Sequence, residues 1–199
     1  MESCPLWAKV TPPALPPHFV RRQRLLDLLH QARSQLLAVV APAGYGKTCL
    51  ARDFLDTVSH HRAWLTLDES DCDPAVLARS LLGAVLGPGA QAGDVSPHEL
   101  VDQLLAQLPQ GLTLVLDSFE RLAGADRALG LLRRLLAHLP ASCQVLVAGR
   151  SLDSLEAAAL RTGQLSGIGA SDLRCTAGEV LSLAAATGES LDPAGAQAL

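Results

Sequence analysis

The run LLAVVAPAGYGKTCL at residues 36–50 passes directly from an apolar stretch of strand character into a glycine turn carrying Lys47 and Thr48. This junction constrains the fold more than any other part of the chain. It calls for a buried strand, a helix packed back against it and a backbone concavity between the two. Backbone N–H groups over residues 44–48 can converge on phosphate oxygens at the start of a helix whose dipole favours negative charge. Gly44 and Gly46 keep Cβ atoms out of that approach. Lys47 can set a compact ammonium against the outer phosphates, and the Thr48 hydroxyl is sited to ligate Mg²⁺. The expected cradle for a nucleoside triphosphate is Ala43, Gly44, Tyr45, Gly46, Lys47, Thr48 and Cys49. The usual pattern, G-x-x-x-x-G-K-[ST], opens on a glycine where this chain has Ala41.

Further apolar runs at 62–67 (RAWLTL), 112–117 (LTLVLD) and 144–148 (QVLVA) alternate with stretches of helical pattern at 47–58, 75–86, 96–108, 125–139 and 180–186. Asp73 before Pro74 marks one helix start. Ser96 with Glu99, and Thr176 with Glu179, have capping-box spacing. Residues 20–31 read as an amphipathic helix whose basic face carries Arg21, Arg22 and Arg24. The alternation predicts an α/β fold, a P-loop NTPase three-layer sandwich whose mostly parallel central sheet is covered by helices on both faces. Residues 1–17, with five prolines, read as an extended N-terminal arm, residues 18–187 as the NTPase domain, and residues 188–199 as the start of a segment cut from a longer protein.

Composition narrows the functional classes. The 199 residues are 49% hydrophobic and 18% charged, enough apolar content for one substantial core. A formal net charge of -4 leaves no general basic field, so direct nucleic-acid binding by this segment is disfavoured. The five cysteines are odd in number and form no C-x-x-C pair, as expected of reduced thiols. Without a signal core or a long apolar span, the expected compartment is the cytoplasm, with no membrane partner. His60 and His61 read as a polar turn, and the acidic DESDCD stretch at 68–73, lacking the glycine and terminal glutamate of an EF-hand, as a solvated loop. Trp64 is the expected core anchor of its strand, and Arg133 and Arg134 the polar face of a helix.

Asp117 closes the third apolar run. Ligands of parallel sheets bind at the carboxyl ends of strands, so Asp117 is the candidate partner, through water, of a Mg²⁺ that Thr48 contacts.

Six ordered blocks, VRRQRLLDLL, APAGYGKTCLARDF, AWLTLDESDCDP, LTLVLDSFERL, VLVAGRSLDSL and RTGQLSGIGASDLRCTAGEV, together resemble the ATPase module of MalT-like, LuxR-type regulators, which belong to the STAND class of signalling ATPases. The resemblance implies ATP and ADP as ligands with Mg²⁺, and a switch between an ADP-bound resting form and an ATP-bound multimeric form. It implies self-association or downstream domains of a longer regulator as partners. By position it gives Lys47, Thr48 and Asp117 the phosphate and metal roles and Arg150 that of a sensor of the γ-phosphate, and it sets Val20 and Arg22 near the base. Relatives commonly carry two adjacent acids where this chain has Asp117 followed by Ser118; Glu120, three residues on, is the candidate substitute. Slow hydrolysis is therefore expected of a regulatory switch. A nucleotide-binding scaffold without turnover is the alternative, and the stretch after Arg150 is poor in the acceptor-pocket and lid groups that a small-molecule kinase would need.

Overall fold

The computed structural model describes residues 6–87, 89–90, 93, 95–152 and 165–191. Among them, five strands form one sheet: β1 (Leu36–Val40), β2 (His61–Thr66), β3 (Leu112–Asp117), β4 (Gln144–Gly149) and β5 (Leu165–Ile168). Their order is β2-β3-β4-β1-β5, with every pairing parallel. The helices are α1 (Leu6–Lys9), α2 (Gln23–Gln31), α3 (Lys47–Thr57), α4 (Pro74–Leu86), α5 (Pro97–Ala106), α6 (Asp126–Ala137) and α7 (Ala177–Thr187). The expected layered α/β architecture is the one observed.

The strands are apolar throughout because both faces are covered. Leu36 and Ala38 of β1, Leu114 and Leu116 of β3, and Val145 and Val147 of β4 enter a core with Leu77 and Leu81 of α4, Leu100 of α5 and Leu132 of α6. The intervening residues Leu37, Val39, Val115, Leu146 and Ala148 enter a second core with Leu25 and Leu29 of α2 and Leu50 and Phe54 of α3. Alternate side chains of a strand point to opposite faces, so each strand contributes to both layers. Trp64 anchors the second core at 1% exposure, as expected. The helix starts follow their capping chemistry: Asp73 accepts from the N–H groups of Ala75 and Val76, and Ser96 and Thr176 form reciprocal capping boxes with Glu99 and Glu179.

Three departures from the sequence reading have physical causes. β5 was not expected, because LSGI is four residues long and carries a serine and a glycine, giving little strand signal; it adds to the free edge of β1. α2 begins at Gln23 rather than residue 20, which leaves Arg22 as a non-helical cap and frees Val20 and Arg22 to line a cleft. The proline-rich first stretch is not wholly extended, since Leu6–Lys9 winds one helical turn.

That turn explains the largest discrepancy. The acidic stretch expected to be a solvated loop instead forms a 3-10 turn (Glu69–Cys72) in which Asp71 is fully buried. Asp71 accepts from Ser80 Oγ at 2.8 Å and the Asp68 N–H at 2.9 Å, and pairs with Lys9, itself only 4% exposed. Lys9 also reaches Asp68 at 3.2 Å. Burial of an acid is tolerable when a cation and hydrogen-bond donors surround it, and here the cation lies 62 residues away in sequence. Lys9→Ala, which strands the Asp71 charge, is expected to destabilise the fold by about 3 kcal/mol. Urea denaturation of the variant against the wild type measures this, and an unchanged midpoint would contradict the pairing.

Candidate functional site

Parallel pairing brings the carboxyl ends of the strands to one edge of the sheet, with Val40 opposite Gly149 and Thr66 opposite Asp117. The turn leaving β1 therefore emerges beside the ends of β3 and β4. Ala41 is buried in the second core and donates its N–H to the Gly149 carbonyl at 3.2 Å. Its φ is not positive, so this place in the turn accepts a side chain and the missing first glycine carries no steric cost. Gly44 (φ 84°) and Gly46 (φ 76°) do adopt the left-handed conformation. A Cβ on either would meet no atom within 4 Å, so the concavity they border is open.

Gly46 caps α3 without any side-chain hydrogen bond, which leaves the first N–H groups of that 11-residue helix directed into the concavity without a capping side chain. Lys47 folds back across the turn and donates from Nζ to the Pro42 carbonyl at 2.8 Å. Ala43 and Gly44 are exposed on the turn, whereas Tyr45 packs partly against the second core. Cys49 is half-buried, and burial, then the Asp117 charge, pushes its thiol above the ordinary value.

The Thr48 hydroxyl donates to Asp117, lying 3.0 Å from Oδ2 and 3.1 Å from Oδ1. Asp117 is 5% exposed. Its burial raises the carboxyl above its ordinary value; the Thr48 hydroxyl, the Ser118 backbone and the Lys47 charge oppose the rise, and Glu120 adds to it. Ser118 has φ 61°, the only positive φ of a non-glycine residue among those described. This left-handed step turns the chain into a 3-10 turn (Phe119–Leu122) and brings Glu120 to the end of β4. There one Glu120 oxygen accepts the Arg150 N–H at 3.1 Å and the other lies 3.3 Å from Arg150 Nε. Gly149 keeps this approach open, since a Cβ there would stand 3.1 Å from the Phe119 Cβ and 3.2 Å from the Glu120 carboxylate.

Beside the turn lies a cleft of about 300 Å³, between α3, residues 16–22 and α7. Val20 and Arg22 line it together with Gly46 and Cys49, so these expected residues are brought to one place. Arg22 is engaged with the chain's C-terminal part: Nη2 donates to the carbonyls of Leu173 at 2.8 Å and Arg174 at 3.0 Å, and reaches Glu179 at 3.4 Å. Arg24 also reaches Glu179, at 3.2 Å. Partial burial works against ionisation of Glu179, yet the Thr176 N–H with Arg24 and Arg22 holds its carboxyl below the ordinary range. Sequence reasoning missed Phe19, Cys175 and Leu183 as parts of this wall. Phe19 adjoins the expected Val20 and was within reach of a pattern search; Cys175 and Leu183 carry no local signal at all.

The site residues thus fall into two adjoining groups, the turn with Thr48 and Asp117 and the cleft with Val20 and Arg22, while the Glu120 and Arg150 pair closes the edge at β4. Among the described residues no helix is long and apolar enough to cross a membrane.

Comparison with known proteins bears on this arrangement. The profile of the AAA domain family matches residues 30–155. The HTH-type transcriptional regulator MalT of Cronobacter sakazakii is 32% identical over 187 residues, covering 85% of this chain and 20% of that protein. MalT of Vibrio cholerae is 30% identical over 173 residues, covering 79% of this chain and 19% of that protein. The chain thus spans about a fifth of the length of these relatives. A crystal structure of a DNA replication initiation factor superposes with a TM-score of 0.51 at 13% identity, over 89% of this chain and 53% of that one, which is a likeness of fold.

The raised Asp117 carboxyl has a consequence for stability. A group whose folded value is raised contributes stability fully below its ordinary value of 3.8, and that contribution is lost as pH rises through the folded value. Asp117→Asn, which keeps an acceptor for Thr48, is therefore expected to melt at a higher temperature than the wild type at about pH 7, with the gap closing as pH falls toward about 4. Calorimetric scans at the two pH values check this; a variant that melts lower at neutral pH would contradict the desolvation argument.

Proposed function

Because the chain belongs to the AAA domain family, we propose that it is a STAND-type, ATP-binding signalling switch that hydrolyses ATP slowly with Mg²⁺ and forms the regulatory ATPase part of a transcriptional regulator. The observation that carries this reading is the contact of the Thr48 hydroxyl with the buried Asp117 at the mouth of an open glycine turn. The residues present fit a nucleotide with its metal: an open cradle ending in uncapped helix N–H groups, a hydroxyl and an acid already facing each other, and an apolar-walled cleft alongside.

In this reading the N–H groups of residues 44–48 and Lys47 hold the phosphates, Lys47 exchanging the Pro42 carbonyl for a phosphoryl oxygen. Thr48 would hold Mg²⁺ directly and Asp117 through water, leaving the ion largely hydrated. Bound Mg²⁺ supplies charge neutralisation at the β- and γ-phosphates. In the same reading Arg150 would balance charge on the γ-phosphate, and to do so it must leave Glu120. Glu120 is the nearest substitute for a water-polarising acid, yet its two oxygens are taken by Arg150 and Ser118 offers no basic group, which supports slow turnover. Slow hydrolysis lets bound ATP persist long enough to favour one conformation over another, the property a switch needs. Self-association and downstream domains of a longer regulator belong to the same proposal and rest on the MalT similarity, and the cytoplasm belongs to it as the compartment expected from the residues.

Titration calorimetry with ATP, with and without Mg²⁺, tests the reading. Lys47→Ala is expected to weaken ATP binding by about tenfold or more, the loss of a charge-assisted contact. Thr48→Ala is expected to remove the increment that Mg²⁺ adds. Equal binding by wild type and Lys47→Ala would overturn the assignment. Phosphate release that disappears in Asp117→Asn supports the switch, whereas nucleotide binding with no release from the wild type favours the scaffold without turnover.

A further inference from the structure

The glycine turn sits at the carboxyl ends of the strands. Another cavity, of about 260 Å³, opens at the amino end of β2, against the C-terminal half of α3. Its charged lining is Arg52 and Asp56 of α3 and Arg62 of β2. Val10, Pro12 and Ala84, each half-buried, supply apolar walls. Two guanidiniums against one carboxylate leave one positive charge unbalanced in this concavity, on a chain whose net charge is -4.

Both guanidiniums are drawn to the same oxygen. Arg52 Nη1 donates to Asp56 Oδ1, whereas Arg62 Nη1 stands 3.7 Å from that oxygen, beyond hydrogen-bonding distance. Among the described residues the Arg62 side chain makes no hydrogen bond, and it is 49% exposed, with Arg52 at 27% and Asp56 at 31%. All three groups are therefore open to solvent. One arginine with one aspartate would be an ordinary surface pair. The second arginine adds a charge, and a planar set of donors, that the pair does not use. The two cations repel each other, and Asp56 neutralises only one of them.

We propose that this cavity binds a monocarboxylate with a compact apolar body, its carboxylate taken by Arg62 together with Arg52 and its body set against Val10, Pro12 and Ala84. The planar fork of a guanidinium matches the two oxygens of a carboxylate. A single negative charge cancels the unbalanced positive one, whereas a dianion would leave a negative charge beside Asp56. Asp56 is then the resident competitor, so its charge weakens the ligand's hold. Nothing in this assignment depends on the nucleotide reading.

The test titrates the full chain with phenylacetate, and with phenylacetamide as its uncharged counterpart, while the arginine Nε–H signals are followed by proton–nitrogen NMR. Saturable shifts of the Arg52 and Arg62 signals are expected with phenylacetate, and affinity for the amide is expected to be about tenfold weaker or less measurable still. Arg62→Ala should weaken phenylacetate binding by about tenfold or more, the loss of a charge-assisted contact. Asp56→Asn, which removes the competing charge, should tighten it by about threefold or more. The comparison of acid with amide needs no variant and stands even if a substitution disturbs folding. Absence of a saturable shift with phenylacetate in the wild type, equal binding of acid and amide, or unchanged affinity in Arg62→Ala would overturn the assignment.

Discussion

Parallel pairing of β1 with β4 on one side and β5 on the other is the constraint from which the rest of the site follows. Because all five strands point the same way, their carboxyl ends share one edge, and the glycine turn, Asp117 and Gly149 have no choice but to meet there. Covering both faces of such a sheet requires helices after each strand, and α3 is the one that starts from the turn. Its first N–H groups are therefore the ones aimed at the site, while its apolar side, Leu50 and Phe54, seals the second core behind it. Fold and site are two results of one packing rule.

Three buried aspartates show how differently the chain treats the same functional group. Asp71 is surrounded by Lys9, Ser80 and a backbone N–H, which makes it part of the framework and ties α1 to the flank of the sheet. Asp117 is buried at a strand end, and that burial raises its carboxyl above the ordinary value although the Thr48 hydroxyl, the Ser118 backbone and the Lys47 charge oppose the rise. Asp53 has a cation on one oxygen, and the other has no hydrogen-bond partner among the described residues. The same logic separates Glu120, committed to Arg150 through both oxygens, from an acid free to act on water.

Much of this was legible in the residues. The turn, the four longer strands and the helices that follow them could be read because their signals are local: apolar runs, glycines at fixed offsets, and capping pairs such as Ser96 with Glu99. Asp117 was legible because its place at a strand end is also local. What escaped was set by contacts between distant segments. Lys9 with Asp71 turned a stretch that reads as solvated into a buried one, and β5 exists because β1 offers it an edge rather than because LSGI favours a strand. The cleft was half legible, through Val20 and Arg22, while Cys175 and Leu183 arrive from the far end of the chain.

The sequence by itself determined the strand-turn-helix unit, the alternation that makes the sheet parallel, and the chemistry offered by Lys47, Thr48 and Asp117, since each depends on residues within a few positions of one another. Only the tertiary structure decided that Thr48 and Asp117 touch, that Glu120 is bound to Arg150, and that Asp53 is buried against Arg21. Those outcomes depend on strand order and on which side chains compete for the same partner, quantities fixed by packing in three dimensions and invisible to any window along the chain.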